Sequence, residues 1–403
     1  MKCPSKTVCI ITNSDFSPPP TRIDYMAKAL SSMGWSVTVI AEDLHGKKLP
    51  IKERVANYYV IRIPNAPLIH KKLPFFSNPI LLFIKLILAL SQNADIYVCV
   101  DMFNAILVIF LRLLKKKTIY EIGDDNVTLD SLLFLRRFGL MIFYSSMTKL
   151  LRYLEGKVCS SANAVITLTD SLAKERIQFN KNTYAIYLPY HPKVLLDSYQ
   201  ADNNQKKHEN YIRLIYEGTI SPDKGIYEAL QALKILVAKY KNIHFTLIGK
   251  FSDKITEQQF YRFLFSYKLA KHVSIIPWMH HDKLEKYLST GSIGLVLLRP
   301  ICHSYVISVP NKLIEMMGAG LAIVASKGFP EIEIILLKSR GGILVDSTKP
   351  EEIAKAIESL LVNPKLLQEM RINAKNYILK NHSIDNYRSL LNNIFCKVLE
   401  DSM

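Results

Sequence analysis

Apolar and polar positions follow two rhythms along this chain. Short, nearly continuous apolar runs bounded by Gly, Pro, Asn or Asp alternate with longer stretches in which apolar residues recur every three or four positions. The first rhythm predicts strands buried on both faces, the second amphipathic helices. TVCIITNSD (7–15) is followed by a Pro-rich loop, an amphipathic stretch over 22–33, a turn at Gly34 and Trp35, and SVTVIAED. That order is the strand–helix–strand unit from which parallel sheets are built. YYVIRI, ADIYVCV, KKTIYEI and NAVITLT supply further strands, with helical runs between them.

The pattern then breaks and starts again. Residues 198–211, SYQADNNQKKHENY, are polar and poor in apolar side chains, as an exposed linker is. Beyond them RLIYEG, HFTLIGK, VSIIPW, IGLVLLR, AIVAS and GGILVD read as strands, with helices expected over 224–240, 254–269 and 281–288, from about Asn311, and over 331–337. PEEIAKAIESLL and PKLLQEMRINAKNYI show the 3.6-residue period of a helical tail. Because the break falls between two restarts, the expected class is α/β with two Rossmann-like domains facing a central cleft, rather than one (β/α)₈ barrel. The expected boundaries are a first domain over 1–197, a linker over 198–210, a second domain over 211–380, and a last helical segment over 381–403 that returns to the first. In open α/β sheets ligands bind beyond the carboxyl ends of the strands, so those loops are where chemistry is sought.

Composition narrows the partner. At 403 residues the chain suits two cores, and 49% apolar with 22% charged residues is globular composition. The net charge of +17 calls for an anionic partner. Residues 1–191 hold 24 Lys and Arg against 14 Asp and Glu, more than half of the excess. No zinc-finger spacing, aromatic-basic sheet signature or helix-turn-helix pattern supports nucleic acid. A phosphorylated substrate or an anionic membrane surface remains. Cys3, Cys9, Cys99, Cys159, Cys302 and Cys396 are scattered without a CxxC pair, which suits a reducing cytosol. The opening apolar run is too short for a signal peptide, so a cytoplasmic chain is expected. FFSNPILLFIKLILAL (75–90) is interrupted by Asn78, Pro79 and Lys85 and falls short of a spanning helix. With the basic, apolar stretch 132–154 it reads either as core or as a surface that meets the inner face of a membrane.

Three loops hold the candidate chemistry. In SDFSPPPTRIDY (14–25) a stiff Pro18–Pro20 entry leads to Arg22 at a helix start, where an anion is favoured, although the G-x-G-x-x-G pattern of a dinucleotide site is absent. In YEGTISPDKG (216–225) Gly218 permits close backbone approach, and Lys224 is a cation expected at a helix start, unfavourable unless an anion binds there. In VPNKLIEMMGAGLAIVAS (309–326) Lys312 repeats that placement, and Glu315, one turn on, suits hydrogen bonds from sugar hydroxyls. For each loop the alternative is a solvated surface.

This constellation resembles the retaining, nucleotide-sugar-dependent glycosyltransferases of GT-B architecture, family four, over nearly the whole chain and most strongly from Tyr216 onward. The resemblance implies a donor site on the second domain and an acceptor site on the first. Gly218, Thr219 and Lys224 would then line the diphosphate, Asn311 and Lys312 would stand beside it, and Glu315 would hold the ribose. Trp278 would pack near the base and Tyr305 near the donor sugar, with Arg22 reaching the anion from the first domain. The sequence departs from the family pattern at Thr219, where an Arg is frequent, at Ile307, where the first of two paired glutamates falls, and at Gly123, where relatives carry a histidine. The loop YEIGDD places Glu121, Asp124 and Asp125 there instead. Lys224, with Glu121 and Asp124, is the expected catalytic set, none of them as nucleophile. No metal or other cofactor is expected, since no DxD pattern lies in a metal loop.

The implied partners are a UDP- or GDP-linked sugar and a glycan or lipid-linked acceptor in cell-surface polysaccharide synthesis, lipopolysaccharide included. Same-face transfer assisted by the leaving phosphate is preferred to double displacement, for which no carboxylate pair can be located. Two readings share the ligand: an epimerase of the same build, distinguished by turnover without an acceptor, and a binding protein that does not turn over.

Overall fold

The computed structural model describes residues 6–14, 16, 21–43, 49–64, 79–128, 135, 139–190, 212–279 and 281–401. The expected linker, the Pro18–Pro20 entry and most of the 65–78 and 129–138 stretches lie outside them. The chain divides into two compact units, Met1–Pro189 with Cys302–Ser304 and Ile384–Met403, and Tyr190–Ile301 with Tyr305–Ser383.

In the first unit β1 (Thr7–Ile11), α1 (Thr21–Ser32) and β2 (Ser36–Glu42) form the opening crossover, followed by β3 (Lys52–Val55) and β4 (Tyr58–Ile63). Then come α2 (Pro79–Ser91), β5 (Ile96–Val100), α3 (Asp101–Leu113), β6 (Lys117–Ile122), α4 (Tyr144–Ser161), β7 (Ala164–Thr167), α5 (Asp170–Arg176) and β8 (Thr183–Ala185). The eight-stranded sheet runs β3-β4-β2-β1-β5-β6-β7-β8. It is parallel except for β3 against β4. That hairpin departs from the expected all-parallel pattern: Ala56, at φ 49°, turns the chain back within two residues, and the strand Lys-Glu-Arg-Val is too polar to announce itself.

In the second unit β9 (Ile212–Glu217), α6 (Ile226–Lys239), β10 (Ile243–Ile248), α7 (Lys254–Ser266), β11 (Val273–Ile276), α8 (His281–Leu288) and β12 (Ile293–Val296) repeat the alternation. A short α9 (His303–Ile307), of which His303 and Ser304 are counted with the first unit, precedes α10 (Asn311–Gly318), β13 (Ala322–Ser326), α11 (Pro330–Ser339), β14 (Gly342–Val345), α12 (Pro350–Leu361) and α13 (Pro364–Asn381). The sheet, β11-β10-β9-β12-β13-β14, is parallel throughout. Its strands are buried on both faces: Leu214 and Tyr216 pack into one apolar cluster and Ile215 into the other, as do Ala322 and Val324 against Ile323 and Ala325. The two-residue period of a strand produces this division.

The last helix, α14 (Ile384–Glu400), belongs to the first unit. Tyr387, Leu391, Ile394, Phe395 and Val398 enter that unit's core, and the Phe395 ring meets Trp35 edge-on at 5.5 Å.

Candidate functional site

In the second sheet the strand order reverses between β9 and β12, the position at which an open α/β sheet leaves a crevice beyond its carboxyl ends. Glu217 ends β9 and Gly218 follows with φ +113°, a left-handed conformation that a side chain resists. A Cβ at Gly218 would sit 3.2 Å from the Lys312 ammonium. Gly249, just past β10, lets the neighbouring backbone come closer still: a Cβ there would lie 1.9 Å from the Gly218 carbonyl oxygen. The two glycines thus leave the backbone bare beside a lysine.

Lys312 is the second residue of α10. Its Nζ donates to the Tyr216 hydroxyl at 3.2 Å and lies 4.2 Å from the centre of that ring. The Tyr216 hydroxyl donates onward to the Thr219 carbonyl, so the backbone after β9 and Lys312 are tied through one ring. Burial, reinforced by the nearby Lys224 cation, pushes the Lys312 ammonium down to about 8 against the pull of Glu217, Asp223 and Glu315. Glu217 is driven the other way: burial and the adjoining Glu315 carboxylate hold its acid well above the carboxylate range, and the two side chains are hydrogen-bonded.

Lys224 departs from its expected place. The helix begins only at Ile226, because Gly225 adopts φ 65° and breaks the path, and Lys224 ends a 3₁₀ turn over Pro222–Lys224. Its Nζ lies 3.0 Å from Asp223 and 4.0 Å over the Tyr305 ring. Asp223 therefore offsets part of the charge that the sequence left unbalanced. Thr219 and Asn311 are exposed beside these groups, Asn311 as the first residue of α10. Trp278 is 67% exposed, a ring without a partner in the core. Ile307 is buried with the core residues, so the position in question makes an apolar contact.

In the first unit the site residues converge on one guanidinium. The strand order reverses there between β1 and β5, and Asp101, the residue after β5, sits at φ 59°. Arg22, in the first turn of α1, donates to Asp101 at 2.7 Å and lies 3.3 Å from Glu121. The Gly123 amide donates to the other Asp101 oxygen at 3.2 Å. A Cβ at Gly123 would fall 0.9 Å from Arg22 Nη1: the guanidinium fills the space a side chain would take. Burial raises the Glu121 acid to about 8, with Asp101 and Asp124 adding to it and Arg22 opposing. Asp124 is exposed at the rim, whereas Asp125 turns inward to Arg152 at 2.9 Å and Arg176 at 3.2 Å. The YEIGDD loop thus separates into a buried acid, an exposed acid and a core ion pair. Among the described residues no group of three or more His, Cys, Asp or Glu is placed to hold a metal ion.

Sequence reasoning named Lys224, Lys312, Gly218 and Glu315, which lie within one unit around the end of β9, and Arg22, Glu121 and Asp124, which meet in the other. It missed Asp101 and Glu217. Both are carboxylates that close an apolar strand, and that placement was the available signal. Chemically, the second-unit cluster offers cations and bare backbone to a phosphorylated ligand and an acid pair to hydroxyls beside it.

Residues 198–377 match the family model described as "Glycosyl transferases group 1". The capsular polysaccharide biosynthesis glycosyltransferase CapM of Staphylococcus aureus is 27% identical over 187 residues, 44% of this chain and 45% of the relative. The matches span about half the length of the curated relatives. Among solved structures, sucrose-phosphate synthase of Thermosynechococcus elongatus superposes with a TM-score of 0.72 at 16% identity, covering 98% of this chain and all of the other (100%). Anabaena HepE in complex with UDP gives 0.71 at 12% identity, covering 97% and 100%. The fold is therefore that of the GT-B glycosyltransferases, two Rossmann-like α/β units, and the group 1 glycosyltransferase match falls on the unit that carries Lys224, Lys312 and Glu315.

Proposed function

We propose that this chain is a retaining glycosyltransferase that moves a sugar from a nucleoside diphosphate sugar to a glycan or lipid-linked saccharide in cell-surface polysaccharide synthesis. The observation that carries the reading is the gathering of Lys224, Lys312 and the bare Gly218 backbone at the reversal of the second sheet. In the transfer, the bond between the anomeric carbon and the diphosphate oxygen breaks and its electron pair leaves with the diphosphate. The acceptor hydroxyl oxygen bonds to that carbon from the same face and its proton passes to the departing phosphate. Negative charge grows on the diphosphate, where Lys224 and Lys312 stabilise it more in the transition state than in the ground state. Lys312, whose ammonium is pulled down to about 8 by burial and Lys224, is held more firmly in its charged form once an anion arrives. Glu121 holds Arg22 in place, and the exposed Asp124 faces the acceptor hydroxyl. Trp278 offers a free ring to the base.

HepE with bound UDP makes a uridine nucleotide the first donor to try, with GDP beside it. The likeness to CapM, named for capsular polysaccharide, supports a cell-envelope acceptor. No helix among the described residues is long and apolar enough to cross a membrane. The exposed apolar face of α2 supports a peripheral seat on an anionic bilayer. Calorimetric titration of UDP, GDP, UMP and GMP tests the assignment: one diphosphate binds selectively, and K224A weakens it about tenfold, about 1.4 kcal/mol. Absence of binding by either diphosphate at millimolar concentration overturns it.

A further inference from the structure

Tyr216 carries a hydroxyl that the packing around it does not require. The residue is 1% exposed and belongs to the apolar cluster that also holds Leu214, Ile220, Ile226 and Leu297, where a phenylalanine ring fills the same space. A buried phenol needs one hydrogen-bond partner, and the Thr219 carbonyl supplies it. The hydroxyl has a second partner, the Lys312 ammonium, which donates to it at 3.2 Å.

The chemistry of the three groups allows one arrangement of protons. An ammonium only donates and a carbonyl only accepts, so the phenol proton is committed to Thr219 and a phenol lone pair to Lys312. Burial, with the Asp223 and Glu217 charges nearby, pushes the phenol far above its ordinary value, and it keeps that proton at every working pH. One N–H of Lys312 is fixed in this way and two remain, beside the bare Gly218 backbone. The charged and titratable groups that face the ammonium are Glu217 of β9, Asp223 and Lys224 of the 3₁₀ turn, and Glu315 of α10. Charges attract or repel an ammonium without fixing its direction, whereas the hydrogen bond to Tyr216, with the ring centre 4.2 Å away, fixes it.

We infer that Tyr216 is a positioning residue: its hydroxyl, anchored on the Thr219 carbonyl, aims the Lys312 ammonium at the diphosphate of the bound nucleotide. The inference rests on the preceding reading of the donor. A hydrogen bond accepted from the charged form also favours that form, so Tyr216 keeps Lys312 protonated against the burial and the Lys224 cation that pull it down to about 8.

Calorimetric binding of UDP, GDP and inorganic pyrophosphate is measured on the full chain as wild type, Tyr216→Phe, Lys312→Met and the double variant. Tyr216→Phe keeps the ring and loses the hydroxyl, and it weakens every ligand that binds, pyrophosphate included, about tenfold at neutral pH. With Lys312→Met already in place the same substitution changes affinity by less than about twofold, because a residue that acts through another then has nothing to act on. Binding needs the protonated lysine, so wild-type affinity is full below about pH 8 and falls as pH rises through it. In Tyr216→Phe, where the charged form has lost its acceptor, that fall begins at lower pH. The inference is overturned if Tyr216→Phe binds like the wild type, if the fall with pH does not move, or if Tyr216→Phe costs as much in the Met background as alone, which marks a structural role. Pyrophosphate separates this inference from the donor reading. A chain that binds pyrophosphate but neither nucleotide defeats that reading, and the four proteins on pyrophosphate then decide the role of Tyr216 by themselves; a chain that binds none of the three overturns both.

Discussion

A methyl group at position 123 has nowhere to go, since it would lie 0.9 Å from a guanidinium nitrogen that Asp101 and Glu121 already hold. Gly123→Ala must push the Arg22 guanidinium out of the position it holds against Asp101 and Glu121, and overpacking of this kind costs about 1–3 kcal/mol. Chemical denaturation of the variant should show a loss of that order. Gly123 is therefore a consequence of Arg22, which no count of missing histidines reveals. The same cluster sets a pH dependence. The Glu121 acid stands at about 8 in the fold against an ordinary 4.5, so the folded state keeps a proton the unfolded chain has released. Its stabilising contribution is complete below 4.5 and is lost as pH rises through about 8. The stability of the wild type relative to Glu121→Gln should fall over that window in thermal melts, and a constant difference would contradict the assignment. Lys224, Lys312 and Glu315 were legible because charged residues at strand and helix junctions stand out against apolar runs. Asp101 and Glu217 were not, because each continues an apolar strand and only the sheet order shows what lies beside it.

Elements were legible where a local signal and the apolar period agree. Pro350 and Pro364 open α12 and α13, Asn363 caps the latter by accepting from the Leu366 amide, and both helices begin where the pattern placed them. The start of α6 was misplaced because the left-handed turn at Gly225 is a backbone choice that a run of good helix formers conceals. The close approach of β9 and β10 beyond their ends is another backbone property. Gly249→Ala would set a Cβ 1.9 Å from the Gly218 carbonyl oxygen, a backbone atom with no rotamer to escape into. The loop after β9 must then shift, and Lys312, tied to it through Tyr216, shifts with it. The expected outcome is a loss of about 1–3 kcal/mol of stability, from strain, together with at least about tenfold weaker nucleoside diphosphate binding by calorimetry. A variant that keeps wild-type affinity would show that the two strands do not set the loop.

At the scale of the whole chain the two-sheet organisation was legible because both halves repeat strand and helix across a polar interruption, and the excess positive charge of the first half was visible by count. What the count could not show is which face the charge occupies. Lys85, the one charged residue of α2, reads as an interruption of an apolar helix, but it is fully buried, paired with Glu42 and donating to Asn13 at 2.6 Å and Asn104 at 2.7 Å. With its charge turned inward, α2 leaves Ile80, Phe83 and Ile87 exposed at 61%, 63% and 50%, a spacing that places them along one face. The neighbouring α3 exposes Ile106, Phe110 and Leu113 and runs out into Lys115 and Lys116. An apolar stripe beside lysines fits an anionic bilayer, the lysines meeting headgroups and the stripe entering the interface. The intact protein should therefore co-sediment with vesicles that contain phosphatidylglycerol and remain in solution with purely zwitterionic ones. Added salt weakens the binding by screening the lysines, whereas replacing Ile80, Phe83 and Ile87 together by Ser removes the apolar part, about 1.5 kcal/mol or more for each side chain buried. That triple variant should fail to sediment even at low salt while its nucleoside diphosphate affinity is unchanged. Vesicle binding that survives the triple substitution would place the membrane contact elsewhere on the first unit.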